Sequence, residues 1–216
     1  MPAATPVSYV LFDACLTLMH KPTLWQKMLG VLANNGYQVN PQELETKHKI
    51  LSEAIHFPDQ TSKDFYQQFN AEVLYALGIL PTKELLKQIF EACTYLEWEA
   101  YDDTAVLTEL NLPIGVLSNF NSTLKNKLDN LVGDIFDQVI ISEVLGVAKP
   151  KVEFYEQAIE LIGVAPEEIL YVGDSIKLDM QPALAVGMQP YLIDRNQIFM
   201  NYPQRLDSLQ DLQKYL

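Results

Sequence analysis

The feature that most constrains this chain is the gap between its first two buried-strand patterns. Ser8-Tyr9-Val10-Leu11-Phe12 is a short apolar run ending at Asp13, as expected of a strand covered on both faces of a parallel sheet. The next such run is Pro113–Leu117, followed by Gln138–Ile141, Ile169–Val172 and Gln189–Ile193. Helical patterns at Ser122–Val132, Val152–Ile162 and Leu178–Val186 separate these later runs. Strand and helix alternate there, which predicts a parallel α/β sheet. Residues 20–100 show only helical spacing, over Thr23–Ala33, Pro41–Ile55, Ser62–Leu77 and Thr82–Leu96, with Asn40-Pro41 and Pro81-Thr82 as helix starts. The expectation is a core of residues 1–19 and 101–216, with a helical domain of residues 20–100 inserted after the first strand. Short hinges near 18–22 and 98–103 would join them, since no repeat, low-complexity tract or long linker interrupts the chain.

Composition narrows the partners. At 216 residues and 49% hydrophobic content the chain can bury a substantial core plus a smaller satellite. Fifteen Lys+Arg against 28 Asp+Glu give a net charge of -13, a field that repels nucleic acid and acidic membrane. That field would also slow a phosphorylated substrate unless the pocket concentrates cations, so a metal would help. Cys15 and Cys93 have neither zinc nor redox spacing, which fits a reducing cytoplasm. Met1–Pro6 has no basic region leading into an apolar stretch, and no window is long enough for a membrane span. The expectation is a soluble, unprocessed cytoplasmic protein.

Ligand chemistry in open α/β sheets gathers at the carboxyl ends of the strands. The first strand ends in Asp13-Ala14-Cys15-Leu16-Thr17-Leu18, the second in Ser118-Asn119, and the fourth in Gly173-Asp174-Ser175, followed by Asp179. Lys149-Pro150 lies between them, just before a helix. A carboxylate nucleophile, a hydroxyl, an ammonium and further carboxylates would then face one cleft. Each alone has an ordinary explanation, a helix cap or a surface turn; their joint order at strand ends is specific.

Through these residues the chain resembles the haloacid dehalogenase superfamily over nearly its whole length. The family's four motifs map onto Asp13–Thr17, Ser118, Lys149, and Gly173-Asp174 with Asp179; the stretch from Ser142 to Asp179, with Glu143, Gly146 and Phe154, is especially close. The resemblance implies a doubly wound, Rossmann-like parallel sheet core with a helical-bundle cap inserted after the first strand. It also implies Asp13 as a nucleophile forming a covalent aspartyl intermediate. Asp13, Asp174 and the Cys15 backbone carbonyl would hold Mg²⁺. Ser118, Lys149 and the amides near Cys15 and Asn119 would cradle a phosphoryl group, with Thr17, Ser175 and Asp179 behind them. Asp179 is expected to orient Lys149 or a metal-bound water rather than touch the metal. The implied substrate is a small phosphorylated metabolite, and the implied state a monomer or homodimer.

One position departs from the pattern. Most phosphatases of the family carry a second aspartate, as general acid and base, where this chain has Cys15. A thiol with a pKa near ~8.5 replaces a carboxyl group poorly, and general acid/base help is worth about 10²- to 10⁴-fold. Cys15 reads better as a buried small residue than as a catalytic thiol. The 2-haloacid dehalogenases lack that aspartate too, and Asp13-Ala14, Thr17-Leu18 and Ser118-Asn119 resemble their motifs. They clamp substrate carboxylate with a cap-side arginine, however, whereas the arginines here are Arg195 and Arg205, far downstream. They also work without metal and lack the Gly-Asp pair. Phosphonoacetaldehyde hydrolases use a cap lysine as a Schiff base, a place Lys27, Lys47 or Lys49 would take. A weakly active or non-catalytic relative is a further alternative. His20, His48 and His56 read as ordinary residues; Trp25, Phe65, Tyr66, Phe69, Tyr75 and Phe90 as helical core; Trp98 and Tyr101 as hinge packing.

Overall fold

The computed structural model describes residues 6–59 and 61–216. The reading of the extreme N-terminus falls largely on residues 1–5, outside the described residues. The chain divides into two compact units, one holding residues up to His20 together with Ala100–Leu216, the other Lys21–Glu99.

In chain order the elements are β1 (Tyr9–Phe12), β2 (Met19–His20), α1 (Leu24–Asn34), α2 (Pro41–Ala54), α3 (Lys63–Ala76), α4 (Lys83–Cys93) and β3 (Glu99–Ala100). Then come β4 (Ile114–Ser118), α5 (Leu124–Val132), β5 (Gln138–Ile141), α6 (Ser142–Leu145), α7 (Val152–Ile162), β6 (Ile169–Gly173), α8 (Gln181–Ala185), β7 (Gln189–Ile193) and β8 (Arg205–Leu206).

The first unit is an α/β Rossmann-like fold. Six strands lie in the order β5-β4-β1-β6-β7-β8, and every pairing is parallel. β1 sits between β4 and β6, with Val10 opposite both Ile114 and Leu170. The strand order reverses across β1, which makes its carboxyl end a topological switch point, where such sheets open a crevice. β1, β4 and β6 are buried along their whole length, as their apolar runs require. Tyr9, Leu11, Leu117, Phe154, Tyr155, Tyr171 and Leu192 belong to one side-chain cluster of this core.

The second unit is helical around a core of its own, which includes Met28, Leu32, Leu44, Phe69, Val73 and Ile89. Its helices start where side chains satisfy the first free amides. Asn40 Oδ1 accepts from Gln42 and Glu43 with Pro41 at the first helical position, Ser62 Oγ accepts from Phe65, and Thr82 Oγ1 accepts from Leu85. β2 and β3, where the chain leaves and re-enters the first unit, pair as a two-stranded ribbon.

Three details differ from the sequence expectations. α4 stops at Cys93 rather than Leu96, because Thr94 is extended and Tyr95 has φ 56°. The expected helix Leu178–Val186 is a π turn over Ile176–Met180 that leads into α8. The two-residue strands β2, β3 and β8 carry no periodic signal from which a sequence reader would find them. Among the described residues no helix is long and apolar enough to cross a membrane.

Candidate active site at the carboxyl edge of the sheet

Asp13 is the first residue beyond β1, and its amide donates to the Val172 carbonyl at 2.8 Å, which continues the ladder one step past the strand. The chain then turns sharply. Leu18 and Met19 both donate to the Ala14 carbonyl, Leu16 donates to Met19, and Leu16 has φ 63°. A leucine in the left-handed region is uncommon and costs about 1–3 kcal/mol of backbone strain, so the surrounding bonds must hold it there. Thr17 Oγ1 lies 3.4 Å from Asp13 Oδ2, a long contact, and Ser118, the last residue of β4, places its Oγ 3.4 Å from Asp13 Oδ1.

Lys149 completes the cluster. Its Nζ donates to Asp13 Oδ1 and to Asp179 Oδ1, both at 2.7 Å, with all three side chains buried. Asn119 explains how a loop lysine is aimed so closely. Its Nδ2 donates to the Lys149 carbonyl at 3.1 Å and its Oδ1 accepts from the Lys149 amide at 2.8 Å. The Asn119 side chain thus grips the backbone of Lys149 from both sides. The Lys149-Pro150 peptide is cis.

Asp179 is delivered by the π turn. The Met180 amide reaches back to the Ser175 carbonyl at 3.1 Å, the wide-turn bond, and Ser175 Oγ accepts from Leu178 at 3.0 Å. This brings Asp179 over Gly173, where a Cβ would lie 2.4 Å from the Asp179 carboxyl carbon, so a side chain at 173 is excluded. Asp179 Oδ2 accepts from the Ser175 amide at 3.0 Å, and Oδ1 accepts from Tyr171 Oη at 2.7 Å as well as from Lys149. The spacing of Tyr171 in β6 gave no sign of this role. Tyr155 stacks edge-on against Tyr171 and donates to the Leu178 carbonyl at 2.5 Å, bracing the same turn.

Burial alone would drive the Lys149 ammonium toward neutrality, but Asp13 and Asp179 reverse the effect and hold it protonated. Asp13 moves the other way. Burial, together with the charges of Asp179 and Asp174, raises its pKa against the pull of Lys149. The pocket therefore holds more carboxylate than one ammonium offsets.

Carboxylate oxygens of Asp13, Asp174 and Asp179 lie within 4.8 Å of one another, close enough to share a metal ion. Both oxygens of Asp179 already accept from protein donors, so its place is beside Lys149; Asp13 and Asp174 are the pair that fits a hard divalent cation. Such an ion would relieve the excess negative charge that raises the Asp13 pKa.

Cys15 is half-buried rather than fully enclosed. In the helical unit Lys27 is exposed, Lys47 pairs with Glu43 at 2.6 Å, and Lys49, although largely buried, faces Glu53 at 3.6 Å, so none has the desolvated and carboxylate-free setting a Schiff-base lysine needs. His48 packs edge-on against Trp25 and Phe69, His20 stacks on Tyr101, and Lys21 lies over Trp98. Arg195 requires a correction. Although far downstream in sequence, its Nη2 donates to the Thr17 carbonyl at 2.9 Å, so an arginine does reach the loop that carries Asp13. That arginine is committed to Asp103, which makes it a poor clamp for a substrate carboxylate.

A six-stranded parallel sheet with a buried Asp–Lys–Asp cluster at its switch point places this chain among the α/β Rossmann-like proteins. The family model for haloacid dehalogenase-like hydrolases matches residues 20–187. The chain belongs to that family and is a hydrolase of the haloacid dehalogenase type. It is 30% identical over 188 residues to haloacid dehalogenase-like hydrolase domain-containing protein 3 of Xenopus laevis, covering 78% of this chain and 76% of that protein. It is 38% identical over 85 residues to the glyceraldehyde 3-phosphate phosphatase of Methanocaldococcus jannaschii, covering 38% and 37% of the two chains. Among solved structures, the magnesium-bound HAD-hydrolase YfnB from Bacillus subtilis superposes with a TM-score of 0.69 at 18% identity, over 98% of this chain and 99% of that one. The L-2-haloacid dehalogenase from Xanthobacter autotrophicus gives 0.63 at 22% identity, over 96% and 97%. At these identities the structural likenesses speak to the fold.

Proposed function

We propose that this protein is a Mg²⁺-dependent phosphatase of small phosphorylated metabolites, working in the cytoplasm, with residues 20–100 as its cap. The observation that carries the reading is the pair of 2.7 Å contacts from Lys149 to Asp13 and Asp179, set beside a second carboxylate pair, Asp13 and Asp174, suited to a metal ion. Phosphatase names among the sequence relatives support it.

Asp13 attacks phosphorus, the bond from phosphorus to the ester oxygen breaks, and the leaving group departs with the electron pair. Water then attacks the aspartyl phosphate, releasing inorganic phosphate and restoring Asp13. Lys149 and Ser118 hold the phosphoryl oxygens, with the backbone amides near Cys15 and Asn119. Mg²⁺, held by Asp13, Asp174 and the Cys15 carbonyl, would neutralise charge on the phosphoryl group. The leaving oxygen needs a proton, and Cys15 supplies one poorly. Substrates with good leaving groups, such as acyl or aryl phosphates, are therefore favoured.

The test is hydrolysis of p-nitrophenyl phosphate and acetyl phosphate with and without Mg²⁺, for the native chain, Asp13→Asn and Cys15→Asp, with 2-chloropropionate in parallel. Asp13→Asn is expected to abolish turnover, and Cys15→Asp to raise p-nitrophenyl phosphate turnover by about 10²-fold. Metal-independent halide release would replace this reading with a dehalogenase.

A further inference from the structure

Arg195 and Asp103 form a half-buried network that lies outside the phosphoryl-transfer steps. Arg195 Nη1 donates to Asp103 Oδ2, which also accepts from Ser208 Oγ at 3.0 Å and from the Leu209 amide at 2.9 Å. Arg195 Nη2 donates to the Thr17 carbonyl at 2.9 Å. The guanidinium carbon lies over the Tyr101 ring, 4.0 Å from its centroid, and Tyr101 stacks on His20 at 4.1 Å. Burial works against the Asp103 carboxylate, but the bonds from Arg195, Leu209 and Ser208 hold its pKa below the usual range.

The orientation of the arginine is informative. An arginine–carboxylate pair arranged for its own strength is bidentate, two N–H groups on two oxygens. Here Asp103 Oδ1 and Arg195 Nε, both buried, have no hydrogen-bond partner among the described residues. A buried polar atom without a partner is costly. The fork forgoes one parallel bond and sends Nη2 to a carbonyl four residues beyond Asp13.

From this geometry we infer that Arg195 is a positioning residue for Asp13, fixing the Asp13–Thr17 loop through the Thr17 carbonyl and tying it, through Asp103, to the segment where the chain returns from the helical unit. The inference rests on the reading of Asp13 as the nucleophile. Thr17 occupies the intermediate place, bonded through its carbonyl to Arg195 and through its hydroxyl, at 3.4 Å, to Asp13 Oδ2. Lysine is a poor substitute, since one nitrogen would have to serve both the Thr17 carbonyl and Asp103, which the guanidinium meets with two separate nitrogens.

The experiment compares the native chain with Arg195→Lys, Arg195→Met and Asp103→Asn by p-nitrophenyl phosphate kinetics with Mg²⁺, thermal melting and amide exchange. Both Arg195 variants should lose about 10²-fold in kcat, the usual result of misplacing a reacting group by an ångström, with KM little changed. The amides of Leu16, Leu18 and Met19 should exchange roughly fivefold faster, while those of Val116 and Val172 keep native rates. Asp103→Asn leaves the Thr17 contact available, so it should lower the melting temperature with a smaller loss of kcat than Arg195→Met. The inference is overturned if kcat falls only in proportion to the unfolded fraction, if exchange rises equally everywhere, or if neither changes. Should the native chain hydrolyse no phosphate ester, the exchange measurement still decides whether Arg195 holds the loop, so the two failures are distinguishable.

Discussion

Among the described residues of the helical unit the buried side chains are apolar, from Met28 and Leu32 through Phe69 and Val73 to Ile89, with Asn70 as the single polar exception. The α/β unit buries Asp13, Thr17, Thr104, Ser118, Ser142, Lys149, Ser175, Asp179 and Asp194 among its hydrophobic residues. An apolar interior stabilises in rough proportion to the area it removes from water. Buried charge stabilises only when every partner is in place, and otherwise costs several kcal/mol. The helical unit is therefore built to tolerate change within its core, while the α/β unit gathers its least tolerant groups, Asp13, Lys149 and Asp179, at the carboxyl edge of its sheet.

That contrast is open to direct attack. The largest effect expected is from Lys149→Met, which leaves the Asp13 and Asp179 carboxylates facing each other in a buried site. Urea unfolding should show a loss of about 3–5 kcal/mol, and turnover should fall by about 10²- to 10³-fold. A variant that melts with the native protein and keeps its turnover would remove the distinction. Phe69→Ala, at the centre of the aromatic cluster with Phe57, Phe65 and His48, should cost about 3 kcal/mol. Amide exchange should report that loss within Lys21–Glu99, and equal acceleration in β4 and β6 would show that the units do not open separately. Tyr171→Phe removes one donor from a charged acceptor and should cost about 1.5 kcal/mol in the same urea assay; an unchanged midpoint would mean Asp179 does not depend on that hydroxyl.

The effect that is smallest at neutral pH lies on the acid limb. Burial, aided by the charge of Lys49, lowers the pKa of His48 from 6.5 to about 4. A depressed imidazole pKa means that the unfolded chain binds the proton more tightly. The contribution of His48 is therefore fully present above the unfolded value of 6.5 and is lost as pH falls through the window down to about 4. His48→Gln should flatten the stability profile across that window, and identical profiles for the two chains would rule the residue out.

Much of this was readable in the sequence because it rests on local rules. Five apolar runs became strands β1, β4, β5, β6 and β7, and Asn40, Ser62 and Thr82 cap helices at the expected starts. Asp13, Ser118 and Lys149 were visible as strand-end or loop residues of the right chemistry, and the fold brings them within bonding distance. The unreadable parts depend on tertiary geometry. Nothing in the spacing of Asn119 and Lys149 announces a side chain bonded to both backbone groups of another residue. A π turn differs from an α-helix by one residue of register, so Leu178–Met180, the second half of that turn, looked like the start of α8. Arg195 was set aside for its distance in sequence, the one quantity that a folded sheet erases.

The ribbon of β2 and β3 has a consequence for the ancestry of such chains. Val10 and Ile114 are partners in register, although the whole helical unit lies between them in sequence. Because the points of departure and return are neighbours, the intervening segment is a graft whose two ends are already joined. Lengthening, shortening or exchanging it leaves the registers of β1, β4 and β6 untouched, so the sequence of the inserted segment is free to drift independently of the sheet that carries it.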